Sequence, residues 1–472
     1  MDLAIACRFL VSALAVSGLA TLPGVVRADF IYARLVPGSG LEANGASGDV
    51  DVSANGRTVV FSSDANNWVS GDNYPGTRAV AVDMDTGVVD IVSLGANGII
   101  RGEGPAVSGD GRYVVFLTYD NSAYGPGWQV LRKDRQTGEL VLASSNAAGQ
   151  PAAGGTNDNT ASISADGRYV AFQASSSNLP TASADGVAAP AGSSGEIYVK
   201  NMVSGQVKVA SLKADGSSSG GTCAMLSHAL SVNGRHLTMR CDAAMVAGAT
   251  SGQAYVRDLQ ANTTELVSRS ASAPNGSSAF AGYMAISPSG RFASFKVAGY
   301  GGLGYADGAN ISSNSGVYIR DRQAGTTTSI PRPTAIPGDD YDSCSVSDIS
   351  DVASVVMACY HNWSGTGRYP QVFLFVPGFA PEMISATAGG QAGNAASGYT
   401  LAVNASGLSM AWESDASDVD PDDHNGKSDI FVLVDESVII DSIFADGFER
   451  APARRARIAP VMSTIPRGNA GR

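Results

Sequence analysis

Six aspartates crowd one short stretch of this chain: Asp415, Asp418, Asp420, Asp422, Asp423 and Asp429, with Asn425 and Gly426 among them. Hard cations such as Ca²⁺ take several oxygen ligands from a turning loop, so Asp418, Asp420, Asp422 and Asp423 are candidate metal ligands. The glycine is misplaced for an EF-hand loop, and a solvated acidic loop is the competing reading. A thinner run stands at Asp64, Asn66, Asn67, Asp72 and Asn73. The second set is aromatic: Trp68, Tyr119, Trp128, Tyr300, Tyr360, His361 and Trp363 fall in irregular segments. Rings with a polar handle suit sugars, peptides or protein surfaces; alternatively they pack their own loops.

No catalytic set assembles. The four histidines, His228, His236, His361 and His424, show no Ser-His-Asp spacing. Gly216-Ser217-Ser218-Ser219-Gly220 matches a nucleophile elbow by letters only, because it lies in a Gly/Ser-rich connection without a strand-to-helix turn. Cys223, Cys241, Cys344 and Cys359 lack the CxxC spacing of a zinc site. Four cysteines allow three connectivities. Cys223 and Cys241 flank one turn, and Cys344 and Cys359 another, so folding each hairpin favours Cys223 with Cys241 and Cys344 with Cys359.

A repeat must position these residues. Ser-x-x-Gly followed by an apolar run recurs with its glycine at Gly56, Gly111, Gly167, Gly234, Gly290 and Gly407, and a worn copy at Ser350, in steps of 55, 56, 67, 56, 60 and 57 residues. Such a period marks a propeller, solenoid or array. Strand A precedes each serine, ending in Val52, Val107, Ile163, Leu230, Ile286, Val346 and Val403. Asn-Gly or Asp-Gly then tolerates the positive φ angles of a type I′ turn. Strand B runs to Phe61, Phe116, Phe172, Met239, Phe295, Val355 and Trp412, residues expected to stack between neighbouring sheets. Strand C reads as Ala79–Asp83, Ile197–Lys200, Ala254–Asp258, Val317–Asp321 or Ile430–Val432, and strand D ends in Val-Ser or Ala-Ser. Arg57, Arg112, Arg168, Arg235 and Arg291 recur in register, as residues that fix turns or contacts between sheets do.

The expected fold is all-β: seven four-stranded antiparallel blades at about 46–93, 104–144, 160–211, 222–268, 282–330, 342–385 and 398–434. The seventh lacks a strand D, and residues 30–36 look like a strand D with no blade before it, so the N-terminal strand should close the last blade. A strand at 438–443 is the alternative. Closure removes open sheet edges.

The units Ser164-Ala-Asp-Gly-Arg-Tyr-Val-Ala-Phe172 and Val317-Tyr-Ile-Arg-Asp321 resemble the TolB-like β-propeller repeat, a prokaryotic relative of the WD40 type. The resemblance covers roughly residues 30–435 and implies seven blades around a central channel. Members with this repeat are mostly exported scaffolds or binding proteins, and it also decorates some hydrolases.

The ends and the charge complete the reading. Residues 1–28 resemble a removable signal peptide: Arg8, an apolar stretch from Phe9, and Val26-Arg27-Ala28 before Asp29. This implies a periplasmic or secreted product, in which disulfides are stable. Residues 436–472 form a tail carrying Asp446-Gly447-Phe448-Glu449, then an Arg-rich end that reads as disordered. The formal charge of -12 disfavours nucleic acid, and no other stretch reaches a membrane span. A–B and C–D turns share one face, while B–C loops and blade crossovers share the other. The leading expectation is an exported, non-catalytic scaffold that binds a protein or glycan partner through the B–C loop face. The alternative is a polysaccharide-acting hydrolase or lyase with acidic and His residues near the channel mouth. No cofactor other than Ca²⁺ is suggested.

Overall fold

One serine organises each A–B turn. In blade one, Ser53 Oγ accepts the Thr58 N–H at 2.9 Å and donates to Asn55 Oδ1 at 2.6 Å, while Asn55 Oδ1 accepts the Arg57 N–H at 2.9 Å. The same set recurs at Ser108, Ser164 and Ser231. Gly56 stands at φ 75°, but Asn55 is not among the positive-φ residues. The turn is therefore a type I turn followed by a left-handed glycine, not the type I′ turn expected. Serine and Asx side chains favour it by accepting the amides it leaves free.

The computed structural model describes residues 30–435, apart from 121–122, 181–194, 277–279, 299–314, 332, 334–340 and 362–368, together with 455–456. Among them there is no helix, and hence none long and apolar enough to cross a membrane. Strands A to D are Ser47–Val52, Thr58–Ser63, Arg78–Asp83 and Val89–Ile91 in blade one, and Glu103–Val107, Tyr113–Thr118, Gln129–Asp134 and Leu140–Leu142 in blade two. Blade three is Thr156–Ile163, Tyr169–Ala174, Glu196–Asn201 and Val207–Val209; blade four is Cys223–Ala224, His236–Cys241, Gln253–Asp258 and Thr263–Leu266. Blade five is Ala281–Ile286, Phe292–Ala298, Ser315–Asp321 and Thr326–Ser329; blade six is Tyr341–Ile349, Val355–His361, Pro370–Phe375 and Glu382–Met383. Each pairs antiparallel in chain order.

Blade seven takes A to C from Ser397–Val403, Ser409–Ser414 and Asp429–Asp435, and its fourth strand from Phe30–Arg34. Phe30 pairs with Asp435 and Arg34 with Phe431, so the N-terminal strand closes the ring. Arg455–Ala456 add a two-residue strand outside it, inside the tail expected to be disordered. The signal-peptide residues and the rest of the tail lie outside the described residues.

The turn face is sewn into a loop by main-chain amides, all but one of which donate to main-chain carbonyls. Asn55 donates to Gly109 O, Gly109 to Ala165 O, Ala165 to Val232 O and Val232 to Pro288 O, all at 2.7–3.0 Å. Pro288 has no N–H, so Ser289 donates instead to Asp351 Oδ1 at 2.7 Å. Asp351 donates to Ala405 O and Ala405 to Ala54 O, which completes the circle. Small residues are required here: a Cβ at Gly109 would stand 2.6 Å from that of Ala165.

Between blades, Phe61, Phe116, Phe172, Met239, Phe295 and Trp412 are fully buried against the preceding blade. Blade six corrects the sequence reading. Ala353, at φ 61°, occupies the left-handed position, its N–H donating to Ser350 O and that of Ser354 to Ser350 Oγ. This turn is one residue shorter, so Ile349 pairs with Val355 as Val52 pairs with Val59. Strand A thus ends at Ile349 rather than Val346. Val355 is buried, but Met357 takes the bulky position. An L-residue in the left-handed region costs about 1–2 kcal/mol, part of which glycine returns through chain entropy. Ala353→Gly should therefore stabilise the protein by about 0.5–1 kcal/mol in urea melts, whereas Gly111→Ala should destabilise it.

The serines ending strand D tie C to D. Ser144, Ser268 and Ser385 Oγ donate to Gln129, Gln253 and Gln371 at 2.6–2.8 Å and accept the next residue's N–H. Both expected disulfides are present, between residues paired directly across strands A and B.

Candidate functional site

Strand A lies innermost, so its side chains line the channel. Two positions before each turn serine (or Asn404) stand Asp51, Ala106, Ser162, Ala229, Ala285, Asp348 and Ala402. The three polar members latch their blade to the next: Asp51 Oδ2 accepts the Val107 N–H at 2.8 Å, Ser162 Oγ that of Leu230 at 3.1 Å, and Asp348 Oδ2 that of Val403 at 2.9 Å. From blade four, His228 reaches across the axis. Its Nε2 is 2.7 Å from Asp51 Oδ1 and its Nδ1 3.8 Å from Asp348 Oδ2. Burial pushes Asp348 up to about 6, against the pull of His228. A cavity of about 70 Å³ beside them has room for waters. Sequence reasoning missed this trio, although carboxylates at a position otherwise held by Ala and Ser were a readable signal.

The acidic stretch of blade seven surrounds a guanidinium. Arg34, on the closing strand, donates through Nε to Asp420 at 2.7 Å, through Nη1 to Asp429 at 3.0 Å and Glu42 at 2.9 Å, and through Nη2 to the Asp422 carbonyl at 2.9 Å. Asp423 lies 3.9 Å from Nη1. Burial works against the Arg34 charge, but Asp429 and Asp420 outweigh it and raise its pKa. Burial likewise lifts Asp429 to about 6, with Arg34 opposing. Of the four candidate metal ligands, Asp420 and Asp423 face Arg34 and Asp422 gives it a carbonyl. Asp418 is turned away, accepting the Asn394 N–H at 2.8 Å. Among the described residues no group of three or more His, Cys, Asp or Glu is placed to hold a metal ion. The thinner acidic run behaves alike: buried Asp72 pairs with buried Arg78 at 2.8 Å.

The aromatic candidates separate. Trp68 is core, edge-on to Phe61 at 4.8 Å with its indole N–H donating to Ser63 Oγ. Trp128 is half-buried between Tyr119 and the Arg101 guanidinium. Tyr300, Trp363 and the His361 side chain lie outside the described residues. Tyr360 is exposed, and the structure brings it near two tyrosines that sequence reasoning passed over. Tyr360, Tyr369 and Tyr399 are 39%, 46% and 62% exposed. Tyr360 is the penultimate residue of strand B, Tyr369 precedes strand C and Tyr399 is the third residue of strand A of the next blade, so all three stand on the loop face. Burial, then the neighbouring Asp415 and Tyr360, raise the Tyr399 phenol's pKa.

Beside them, Glu413 is buried. Its Oε2 accepts from Thr400 Oγ1 at 2.9 Å and the Asp49 N–H at 3.1 Å, and burial pushes it up to about 7. A carboxyl raised above its ordinary 4.5 in the fold stabilises most below that value and loses the contribution as pH rises through 7. At 1.36 kcal/mol per unit this is about 3 kcal/mol. Glu413→Gln should match wild type near pH 4 and exceed it by about that amount at pH 8.5, read from urea melts. Equal pH slopes for the two proteins would refute the assignment.

The other sequence candidates are structural. Arg57, Arg112, Arg235 and Arg291 pair with the aspartates at or just after the end of strand C, at 2.7–3.0 Å. Ser218 bridges to Leu212 in a crossover.

No protein-family model matches the chain, and no curated protein matches it. Solved structures similar to it include TolB from Acinetobacter baumannii, at 15% identity over 74% of this chain and 61% of that one, TM-score 0.36. The chain thus spans about three fifths of that protein's length. A putative TolB from Agrobacterium tumefaciens follows at 13% identity, over 65% and 89%, TM-score 0.34. Oligogalacturonate lyase from Vibrio parahaemolyticus matches at 9% identity, over 88% and 99%, TM-score 0.49. The structural neighbours of this chain include TolB proteins and a β-propeller domain, and its own strand pairing makes it a seven-bladed propeller.

Proposed function

We propose that the chain is an exported, non-catalytic propeller that binds a protein or glycan partner through its loop face. The observation that carries this reading is the exposed group Tyr360, Tyr369 and Tyr399 at the junction of blades six and seven. Aromatic rings with polar tips supply contact area at low entropic cost. Two disulfides support export, since they persist in oxidising compartments. The test is capture from cell-envelope and culture-supernatant extracts and binding to a glycan array, comparing wild type with Tyr360→Ala/Tyr369→Ala/Tyr399→Ala. The triple variant should keep its melting temperature and lose about tenfold or more in affinity. A partner held equally well by both proteins would remove the loop face from the account.

The second reading, a polysaccharide hydrolase or lyase, has one observation on its side, the His228–Asp51 contact in the channel. Against it, both aspartates already accept two main-chain amides. Turnover of any polysaccharide in a panel, abolished by His228→Ala, would favour the enzyme.

A further inference from the structure

The propeller fills its blade junctions on the turn face with an arginine pair or an apolar side chain, and one junction sets a lysine beside the apolar side chain. The residue after the last position of strand C is Met84, Arg135, Met202, Leu259 and Arg322 in blades one to five, and each donates its N–H to the arginine carbonyl of its own A–B turn. Where it is arginine, it spans the junction. Arg135 Nε meets Asp90 of the preceding strand D at 3.2 Å, and Arg322 Nε meets Glu265 at 2.9 Å. The same guanidinium donates to Gly111 O or Gly290 O. In blade three, Met202 packs on the apolar core shared with blade two. Between blades three and four Leu259 likewise packs on the apolar core shared with the preceding blade, but the strand D position that holds Asp90 or Glu265 elsewhere, and Val141 in blade two, holds Lys208.

The result is an open groove of about 530 Å³, within the usual range of small-ligand sites. Its walls are the Tyr169 ring and the Leu259 side chain, and its polar lining includes Lys208, Gln206, Gln260 and Asn262. Arg235 at the rim is already paired with Asp258, so Lys208 carries the local excess of positive charge in a chain of net charge -12. An ammonium is a point-charge partner for carboxylate or phosphate. Side-chain amides both donate to and accept from hydroxyls, and an aromatic face beside an aliphatic one suits the apolar face of a sugar ring.

The geometry points to a binding site for an anionic sugar, carboxylated or phosphorylated, in the groove between blades three and four. The site lies on the turn face, opposite the tyrosine group, and stands or falls independently of it. The test is titration of the full chain with glucuronate, glucose 6-phosphate and glucose, followed by calorimetry. One or both anions should bind about tenfold or more tighter than glucose, and whichever binds names the source of the negative charge. Lys208→Met should lose that preference at unchanged melting temperature. Lys208→Asp/Leu259→Arg builds the ion pair found between blades one and two and between blades four and five, so it should close the groove, abolish binding and leave the fold at least as stable. Failure of both anions to bind, binding no tighter than glucose, or wild-type affinity in the rebuilt variant would each overturn the proposal.

Discussion

Arg34→Met should destabilise the protein by about 3–5 kcal/mol at pH 7.5, the usual cost of breaking a buried ion pair from one side. The substitution removes the counter-charge of Asp420, Asp423 and Asp429, all buried, while leaving the backbone pairing of Phe30–Arg34 with Phe431–Asp435 intact. Lysine should rescue poorly, because the guanidinium serves three carboxylates and a carbonyl from three nitrogens at once. The pH dependence identifies the cause. Without arginine Asp423 and Asp429, which burial already raises, are held further above their ordinary range, so the variant regains stability as pH falls and they protonate. The gap to wild type should therefore narrow between pH 7.5 and pH 4.5 in urea melts. A constant gap would assign the loss to packing, and no gap would mean that the closing strand is held by its backbone and by Tyr32, whose ring lies 5.5 Å from that of Trp412.

The fold was legible because a propeller repeats its local solutions. Ser-x-Asn-Gly and Ser-x-Asp-Gly state the turn in four letters, and a blade lacking strand D next to a strand lacking a blade states the closure. Blade six was misaligned by two or three positions because its turn drops a residue and sets Ala353 at positive φ, a substitution no propensity suggests. Contacts between distant segments were not legible. Arg34 and Asp420 are 386 residues apart, so a cluster that reads as a cation site had its cation supplied from the far end of the chain. Trp68 and Tyr360 have the same kind of sequence context. One is buried because its indole N–H finds Ser63, and the other is exposed beside tyrosines contributed by neighbouring strands. The groove between blades three and four was present in the sequence as Lys208, but only as a departure from strand D positions held by an acid or valine in its counterparts.

Reducing both disulfides should have the largest effect on stability. Each joins strands A and B of one blade across 18 or 15 residues, and closing a loop of about 15 residues is worth about 3 kcal/mol in the unfolded chain. The two lie in blades four and six, with no shared partner, so their contributions should add to about 6 kcal/mol, comparable to the whole stability of many domains. Blade four has the greater need. Its regular strand A is only Cys223–Ala224, followed by a single bridge from Leu230 to Leu237, so the ladder against strand B is shorter and more interrupted than in blade six. Cys223→Ala/Cys241→Ala should accordingly unfold at lower urea than Cys344→Ala/Cys359→Ala, whose strand A spans nine residues. A closed ring makes local loss global, because hydrogen bonds on the turn face, one of them to the Asp351 side chain, join each blade to the next. Loosening blade four breaks the circle at Val232, and the reduced protein should melt in one transition rather than shedding a single blade. A separate early transition confined to blade four, detected by hydrogen exchange at Leu237 and Met239, would show that the circle does not couple its members.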